Sequence, residues 1–304
     1  MTRKVIMVTG ADGFVGRHLM PRLALDFPDA TLKASNFDIC DEAAVAGAVR
    51  DLRPSACIHL AAVSAIGDAR LHPDRAWAVN LGGTLSLARA LLDHAPECLL
   101  LYVSSADAYG KSFAAGVALA ENAALAPLNV YGATKAAADL ALGAMAADGL
   151  RVIRARPFNH TGPGQSEVFV IASFARQLAL IEAGMQPPVL RVGALEPQRD
   201  FLDVRDVVAA YSLCLAHGEA GEPGLIVNIA SGVSRRIGDT LQAMIAFSRI
   251  KPAIETEPAR LRATDIPVAS ADASRIHALL GWRPSIAWET TLRDVLQDWR
   301  GRVG

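Results

Sequence analysis

The sequence is poor in cysteine, has no long apolar run and carries no excess of either charge. Its four cysteines, Cys40, Cys57, Cys98 and Cys214, lie far apart and form no C-x-x-C pair. That argues against metal-binding and redox roles, and no metal site is expected. Three of them sit in or beside apolar runs, where a thiol behaves as a small buried hydrophobe. No stretch of about 18 apolar residues occurs, so no membrane span is expected. Met1 to Val8 leads straight into a short apolar run and a glycine turn, without the long apolar stretch and small-residue cleavage site of a signal peptide. The cytoplasm is therefore the expected location. Thirty Lys and Arg against 31 Asp and Glu leave a net charge of −1, which gives no footprint for a nucleic-acid partner. No internal repeat or low-complexity segment is present.

What is present is a chain of 304 residues, 52% hydrophobic, enough to bury a large core in one large domain or two small ones. Short apolar runs at Val5–Thr9, Ala56–Leu60, Leu99–Val103 and Arg151–Ala155 read as buried strands, with a weaker one at 30–34. Between them lie helical spacings: Phe14 to Phe27, Ala43–Leu52, Trp77–Leu92 and Tyr131–Ala147. Continuously apolar strands alternating with helices are the signature of a parallel sheet covered on both faces. The expected fold is α/β, a doubly wound parallel Rossmann sheet. After Pro157 the texture changes. Helices at Val170–Ala183, Val207–His217 and Trp288–Trp299 and a strand at Leu225–Ile229 alternate with Pro- and Gly-rich loops. This predicts a dinucleotide-binding part over 1–157 and about 200–220. A smaller α/β substrate part covers about 158–199 and 221–304.

Gly10-Ala11-Asp12-Gly13-Phe14-Val15-Gly16 follows the first strand and opens the first helix. Gly10 permits a tight turn, Gly13 lets backbone approach a pyrophosphate, and Gly16 lets helix and strand pack closely. The helix N-terminus adds free N–H groups and a positive dipole end. In many such sites a carboxylate about 20 residues on binds the ribose diol, and an Arg there accommodates a 2′-phosphate. Here the second strand runs out at Ala34-Ser35-Asn36-Phe37, with neither. Asp38 and Ile39 follow, in a pattern that faces the adenine. The choice between NAD and NADP stays open. Ser35 and Asn36 could donate to a phosphate and lean toward tolerance of NADPH.

Tyr131 and Lys135 are four residues apart on a predicted helix and share one face. An ammonium beside a phenol would lower the tyrosine pKa and let it exchange a proton with a carbonyl oxygen. Ser104-Ser105 ends the strand Leu99–Val103, and ligands of such sheets bind beyond the carboxyl ends of the strands. The two features converge on one spot.

Together, Gly10/Gly13/Gly16, Leu60-Ala61-Ala62, Asn80, Ser104-Ser105-Ala106-Asp107-Ala108-Tyr109-Gly110 and Tyr131-x-x-x-Lys135 resemble the extended short-chain dehydrogenase/reductase family. The resemblance implies a nicotinamide cofactor held by Gly10, Asp12, Gly13, Phe14, Val15, Gly16, Asp38, Ile39, Leu60, Ala61, Ala62, Asn80, Tyr131, Lys135 and Pro157. It implies catalysis by Ser105, Tyr131 as general acid, and Lys135 as ribose anchor and modulator of Tyr131. Asn80 would support the active-site helix. Val130 departs from the family's usual Pro before the Tyr, which should alter the helix start and not the chemistry. Arg156-Pro157-Phe158-Asn159-His160-Thr161-Gly162-Pro163-Gly164-Gln165, Arg199-Asp200-Phe201-Leu202-Asp203 and Leu261-Arg262 are similar to the branch that acts on GDP-mannose and GDP-4-keto-6-deoxy-mannose. That implies substrate contacts from Ser105, Asn159, Val170, Arg199 and Arg262, the two arginines gripping the diphosphate and nucleotide end. His160 has a backbone role or a catalytic one.

Sugar-nucleotide dehydratases of this type carry Glu where Asp107 stands, and Thr where Ser105 stands. A carboxylate one methylene shorter is withdrawn by more than about 1 Å, an error that can cost about 100-fold in rate. Both features favour reduction of the C4 ketone of a GDP-4-keto-6-deoxy-D-mannose by NADPH or NADH. Asp107 then orders the site. The alternatives are a dehydratase or epimerase with tightly held NAD(P), or a non-catalytic nucleotide-binding regulatory protein. Relatives dimerise through the helices matching Trp77–Leu92 and Tyr131–Ala147, so a homodimer is expected.

Overall fold

The computed structural model describes residues 4–218, 224–261 and 266–304. The first half runs β1 (Val5–Thr9), α1 (Phe14–Asp26), β2 (Thr31–Ala34), α2 (Glu42–Leu52) and β3 (Ala56–His59). It continues through α3 (Ile66–Leu71), α4 (Pro73–Trp77), a π-helical turn at Ala78–Gly83, α5 (Thr84–His94) and β4 (Leu99–Val103). Next come α6 (Val130–Ala147) and β5 (Val152–Pro157). The second half runs β6 (Asn159–Thr161), α7 (Val170–Glu182), β7 (Val189–Val192), β8 (Gln198–Asp203), α8 (Val204–His217) and β9 (Leu225–Ile229). It ends with β10 (Ser234–Arg236), α9 (Ile237–Phe247), β11 (Ala253–Thr256), β12 (Val268–Ala269), α10 (Ser274–Leu280) and α11 (Trp288–Val303).

The main sheet has the order β2-β1-β3-β4-β5-β9, and every pairing in it is parallel. Its strands alternate their side chains between two cores. Ile6, Val8, Ile58 and Leu101 face Leu19, Leu23, Val207 and Tyr211 of α1 and α8. Met7, Cys57, Leu100 and Tyr102 face Val45, Val49, Leu87, Leu91 and Leu142 of α2, α5 and α6. Both faces are covered, which is why the strands read as unbroken apolar runs. The chain steps from β1 outward to β2 and returns across β1 to β3, so the order reverses at the carboxyl end of β1. A crevice opens beyond the strand ends at such a reversal.

A smaller assembly stands over that end. β10, β8 and β12 form one sheet with β6 alongside β8, and β11 pairs with β7. α7, α9 and α11 close a separate core around Phe174, Leu178, Leu241, Met244, Leu292 and Leu296. Three acids spaced three apart tie it down. Asp200 accepts from Ser231 and Gly232, Asp203 caps α8 through Arg205 N and accepts from Thr291, and Asp206 accepts from Ser285 and Ile286.

Two expectations are corrected. β9 pairs with β5 in the main sheet, Ile153 opposite Leu225, so a boundary at 221 gives the sheet's sixth strand to the wrong part. The segment Trp77–Leu92 is helical throughout, but not uniformly α-helical: Ala78–Gly83 within it is the π turn. Its π turn carries an extra residue per turn, which buries Asn80 and seats Gly83 so close to Ile39 that a Cβ would lie 2.7 Å from its side chain.

Candidate active site

The cradle forms where β1 ends. Gly10 has φ +68°, and a Cβ there would sit 2.8 Å from Ala61 N, so the turn lies directly on Leu60-Ala61-Ala62. Leu60 N donates to Thr9 O, and Ala61 N to Thr9 Oγ1. A Cβ on Gly16 would collide with the carbonyls of Ala11 and Gly10. Asp12 and Gly13 are exposed and Phe14 and Val15 half-buried. α1 starts at Phe14 with no side-chain cap, so its first N–H groups point out of the turn. A helix start stripped of side chains suits the pyrophosphate of a dinucleotide, and the residues present fit that group.

The adenosine side departs in part from expectation. Asp38 is exposed, but its Oδ1 accepts from Cys40 N. Ile39 is 6% exposed and turned into the core against Gly83, so its side chain backs the wall instead of facing a base. Ser35 and Asn36 stand at the open end of β2. Pro157 is buried at the end of β5, opposite Ile229.

Ser105, Tyr131, Lys135 and Asp107 meet beyond β4. Ser105 caps a 3₁₀ turn over Ala106–Ala108, its Oγ accepting from Asp107 N at 3.1 Å and donating to Asp107 Oδ2 at 3.4 Å. α6 starts at Val130 because Asn129 caps it, Oδ1 accepting from Gly132 N. A cap of this kind replaces a Pro as a helix start. Gly132 lets α6 ride on that turn, where a Cβ would be 2.6 Å from Asp107 O.

The expected electrostatics are corrected here. Burial, chiefly, and the Asp107 carboxylate push Tyr131 up, while a hydrogen bond with Ser105 opposes them. The Lys135 Nζ donates to Val103 O at 2.7 Å and sits 5.1 Å from the Tyr102 ring centre. Lys135 is 4% exposed. Burial lowers its pKa to about 8, against the pull of Asp139.

On the opposite side, Asn159 is exposed at the start of β6, and Val170, 36% exposed, opens α7. Arg199 on β8 has Nη1 on Gln198 O and Ile266 O. The second contact ties Ile266, just before β12, to β8. Arg262 lies outside the described residues. His160 takes the backbone role: its Nδ1 bonds Phe158 O at 3.0 Å, and its ring stacks on Phe14, centroids 6.3 Å apart. Burial lowers its pKa, opposed by the Phe158 carbonyl.

Residues 6–230 match the model of the NAD dependent epimerase/dehydratase family. The chain belongs to this family. It is 38% identical to the GDP-6-deoxy-D-mannose reductase of Pseudomonas aeruginosa, over 100% of this chain and 99% of that one. The structure of RMD from Pseudomonas aeruginosa complexed with NADPH superposes with a TM-score of 0.88 at 34% identity, covering 98% and 99% of the two chains. The UDP-glucose 4-epimerase of Thermus thermophilus complexed with NAD gives 0.85 at 25% identity, covering 98% and 99%.

For an epimerase/dehydratase family chain, some polar residues around the site were not legible. Asp139 is fully buried on α6 and holds Arg156 through both carboxylate oxygens at 2.8 and 2.9 Å, and Arg154 at 3.2 Å. Arg156 also donates to Tyr109 Oη, which donates to Asn228 Oδ1. The signal was in the spacing, since Asp139 follows Lys135 by four residues on the same helical face. His59, in the strand before Leu60, is 1% exposed and bonded at both ring nitrogens.

Proposed function

We propose that the chain reduces the C4 ketone of GDP-4-keto-6-deoxy-D-mannose, giving GDP-D-rhamnose or its C4 epimer. The observation that carries this reading is Tyr131 in hydrogen-bond contact with Ser105, with the short Asp107 carboxylate tied back to the same serine. A neutral phenol can give its proton to a forming alkoxide, the role reduction requires. A dehydratase needs a carboxylate free to reach the sugar. A reduced nicotinamide dinucleotide, its pyrophosphate held by the Gly10–Gly16 turn, would supply the hydride. The chain's own residues do the rest: Tyr131 gives its proton to the forming alkoxide, Ser105 donates a hydrogen bond to that oxygen, and the Lys135 ammonium stabilises its charge. Asn159, Val170, Arg199 and Arg262 are the proposed contacts for the sugar and diphosphate. The close likeness to a reductase of the same sugar class supports the assignment.

The open β2 end, with Ser35 and Asn36 and no carboxylate engaging the strand terminus, suits NADPH. The chain is further proposed to act as a homodimer through α4, α5 and α6. The deciding experiment is a coupled assay. GDP-4-keto-6-deoxy-D-mannose is generated in place, and nicotinamide absorbance is followed with NADPH and with NADH. Consumption that needs both protein and sugar establishes the reductase, and NMR of the product fixes the C4 configuration. No consumption with either cofactor rejects it, and GDP-mannose with NAD⁺ then tests the dehydratase.

A further inference from the structure

Five polar residues lie buried between the cofactor turn and the start of α6: Thr9, His59, Asn80, Thr84 and Thr134, each 1% exposed or less. Their hydrogen bonds form one directional chain. Ala61 N donates to Thr9 Oγ1 at 3.2 Å, and Thr9 Oγ1 lies 2.7 Å from His59 Nδ1. His59 Nε2 lies 2.9 Å from Thr84 Oγ1, which donates to Asn80 O at 2.7 Å. A carbonyl can only accept, so the single Thr84 proton is committed to Asn80 O. Thr84 therefore accepts from His59 Nε2–H. That leaves Nδ1 bare, to accept the Thr9 proton, and Thr9 Oγ1 accepts Ala61 N–H with a lone pair. Every donor and acceptor is used once, and only the neutral Nε2–H tautomer allows it. Burial and the Lys135 charge push the ring down to about 3, which keeps it neutral.

From Asn80 the chain continues. Its Oδ1 accepts from Val63 N, and its Nδ2 donates to Val63 O and to Thr134 Oγ1 at 2.9 Å. Thr134 Oγ1 donates to Tyr131 O at 2.8 Å. One end of the path holds the backbone on which Gly10 rests, and the other holds the backbone of the acid.

We infer that His59 is a positioning residue for the reaction, fixing the Tyr131 end of α6 relative to the cofactor turn through Thr9 on one side and Thr84 and Asn80 on the other. The inference rests on reading Gly10–Gly16 as the cofactor cradle and Tyr131 as the acid. An ordinary core histidine would affect stability alone. A positioning histidine has two separable arms.

Thr9→Val and Thr84→Val are near-isosteric and cut one arm each. His59→Gln keeps an amide N–H near the place of Nε2 and loses the acceptor at Nδ1. Three readouts are taken on the whole chain: NADPH dissociation constant by fluorescence, hydrogen exchange of the amides of residues 132–135, and kcat at saturating NADPH. Thr9→Val weakens NADPH about tenfold, the scale of one unpaired buried donor, and leaves exchange and kcat within about twofold. Thr84→Val does the reverse, with exchange about tenfold faster and kcat about tenfold lower. His59→Gln follows Thr9→Val, and His59→Leu, which cuts both arms, adds the faster exchange and lower kcat of Thr84→Val. If Thr9→Val, Thr84→Val and His59→Gln all lower the melting temperature while shifting affinity and exchange by less than about twofold, or shift both in parallel, the inference is overturned. A wild-type chain that binds NADPH but ignores the GDP-sugar defeats the proposed substrate only, and affinity and exchange still decide the role of His59.

Discussion

Lys135 carries its charge where burial disfavours it, and its Nζ donates to a carbonyl, Val103 O. The sign of the pH response follows. The ammonium is present below its pKa of about 8 and lost above it, so stabilisation of a forming alkoxide is complete at neutral pH and fades as pH rises. Tyr131, pushed up, stays protonated through this window and adds no limb of its own. A pH profile of kcat at saturating cofactor should be flat near neutrality and fall about tenfold per unit above pH about 8. Lys135→Arg, whose guanidinium keeps its charge, should lower the plateau and remove the alkaline limb. A limb that persists in that variant assigns it to another group. Tyr131→Phe removes the donor and should lower kcat by about 10²–10⁴-fold with NADPH affinity within about threefold. Ser105, Tyr131 and Lys135 were legible in the sequence because helical spacing and the end of an apolar strand fix which side chains converge. The direction of the Tyr131 shift was not. It depends on burial and on Asp107 across space, and residue spacing carries neither.

Elements were legible where one periodicity ruled them. β1, β4, β9 and α6 fall within a residue of their sequence boundaries, since each is an unbroken apolar run or an uninterrupted helical pattern. The π turn at Ala78–Gly83 was hidden because one inserted residue leaves the hydrophobic pattern nearly intact while moving Asn80 inward. The short strands β6, β10, β11 and β12 were also hidden, since two to four residues hold too little pattern to read. Two glycines give a sharp contrast, Gly16 in the first turn of α1 and Gly116 just after the 3₁₀ turn at Gly110–Ala115. At Gly16 a methyl would meet the Ala11 and Gly10 carbonyls, whereas at Gly116, φ +69°, nothing lies within 4 Å. Gly116→Ala should cost only the left-handed backbone, about 1–2 kcal/mol by urea unfolding, with NADPH binding intact. Gly16→Ala should weaken NADPH by more than about tenfold, because a shift of about 1 Å misplaces the helix start. Equal effects on binding would show that the close approach is not what the cradle needs. α6 is also anchored by charge. Asp139→Asn leaves Arg154 and Arg156 without their carboxylate, and a broken buried pair costs about 3–5 kcal/mol. Urea unfolding measures it, and a loss under about 1 kcal/mol would mean that Tyr109 and the Glu121 carbonyl suffice to hold Arg156.

At the scale of the whole molecule, the two layers are clasped across the crevice by the loop 160–165. Arg17 donates to Gly164 O, His18 Nε2 lies 2.8 Å from Pro163 O, and Gly164 N donates to Asp298 of α11. Asn159 therefore stands next to a loop fixed to both the cofactor helix and the last helix, which sets where a sugar nucleotide can lie. The far side of the main sheet is less complete. α4 packs on α6, and their outer faces leave Trp77 39% and Leu140 60% exposed. Exposed single apolar residues are ordinary on a protein surface, but two on adjacent packed helices extend one surface. Tyr131 and Lys135 ride on the inner face of the same α6, so a partner seated there would stiffen the helix that carries the chemistry. A dimer through α4, α5 and α6 would have to bury about 1,000 Å² or more in total to be stable. Gel filtration with light scattering at micromolar concentration should give twice the chain mass of 32.1 kDa. Leu140→Glu places a charge in the centre of that surface and should give the monomer, with the fold retained by circular dichroism. A wild-type monomer would reject the dimer, a Leu140→Glu dimer would place it on another face, and either would leave α6 to be held by contacts within the chain, Asp139 and the Asn80 path among them.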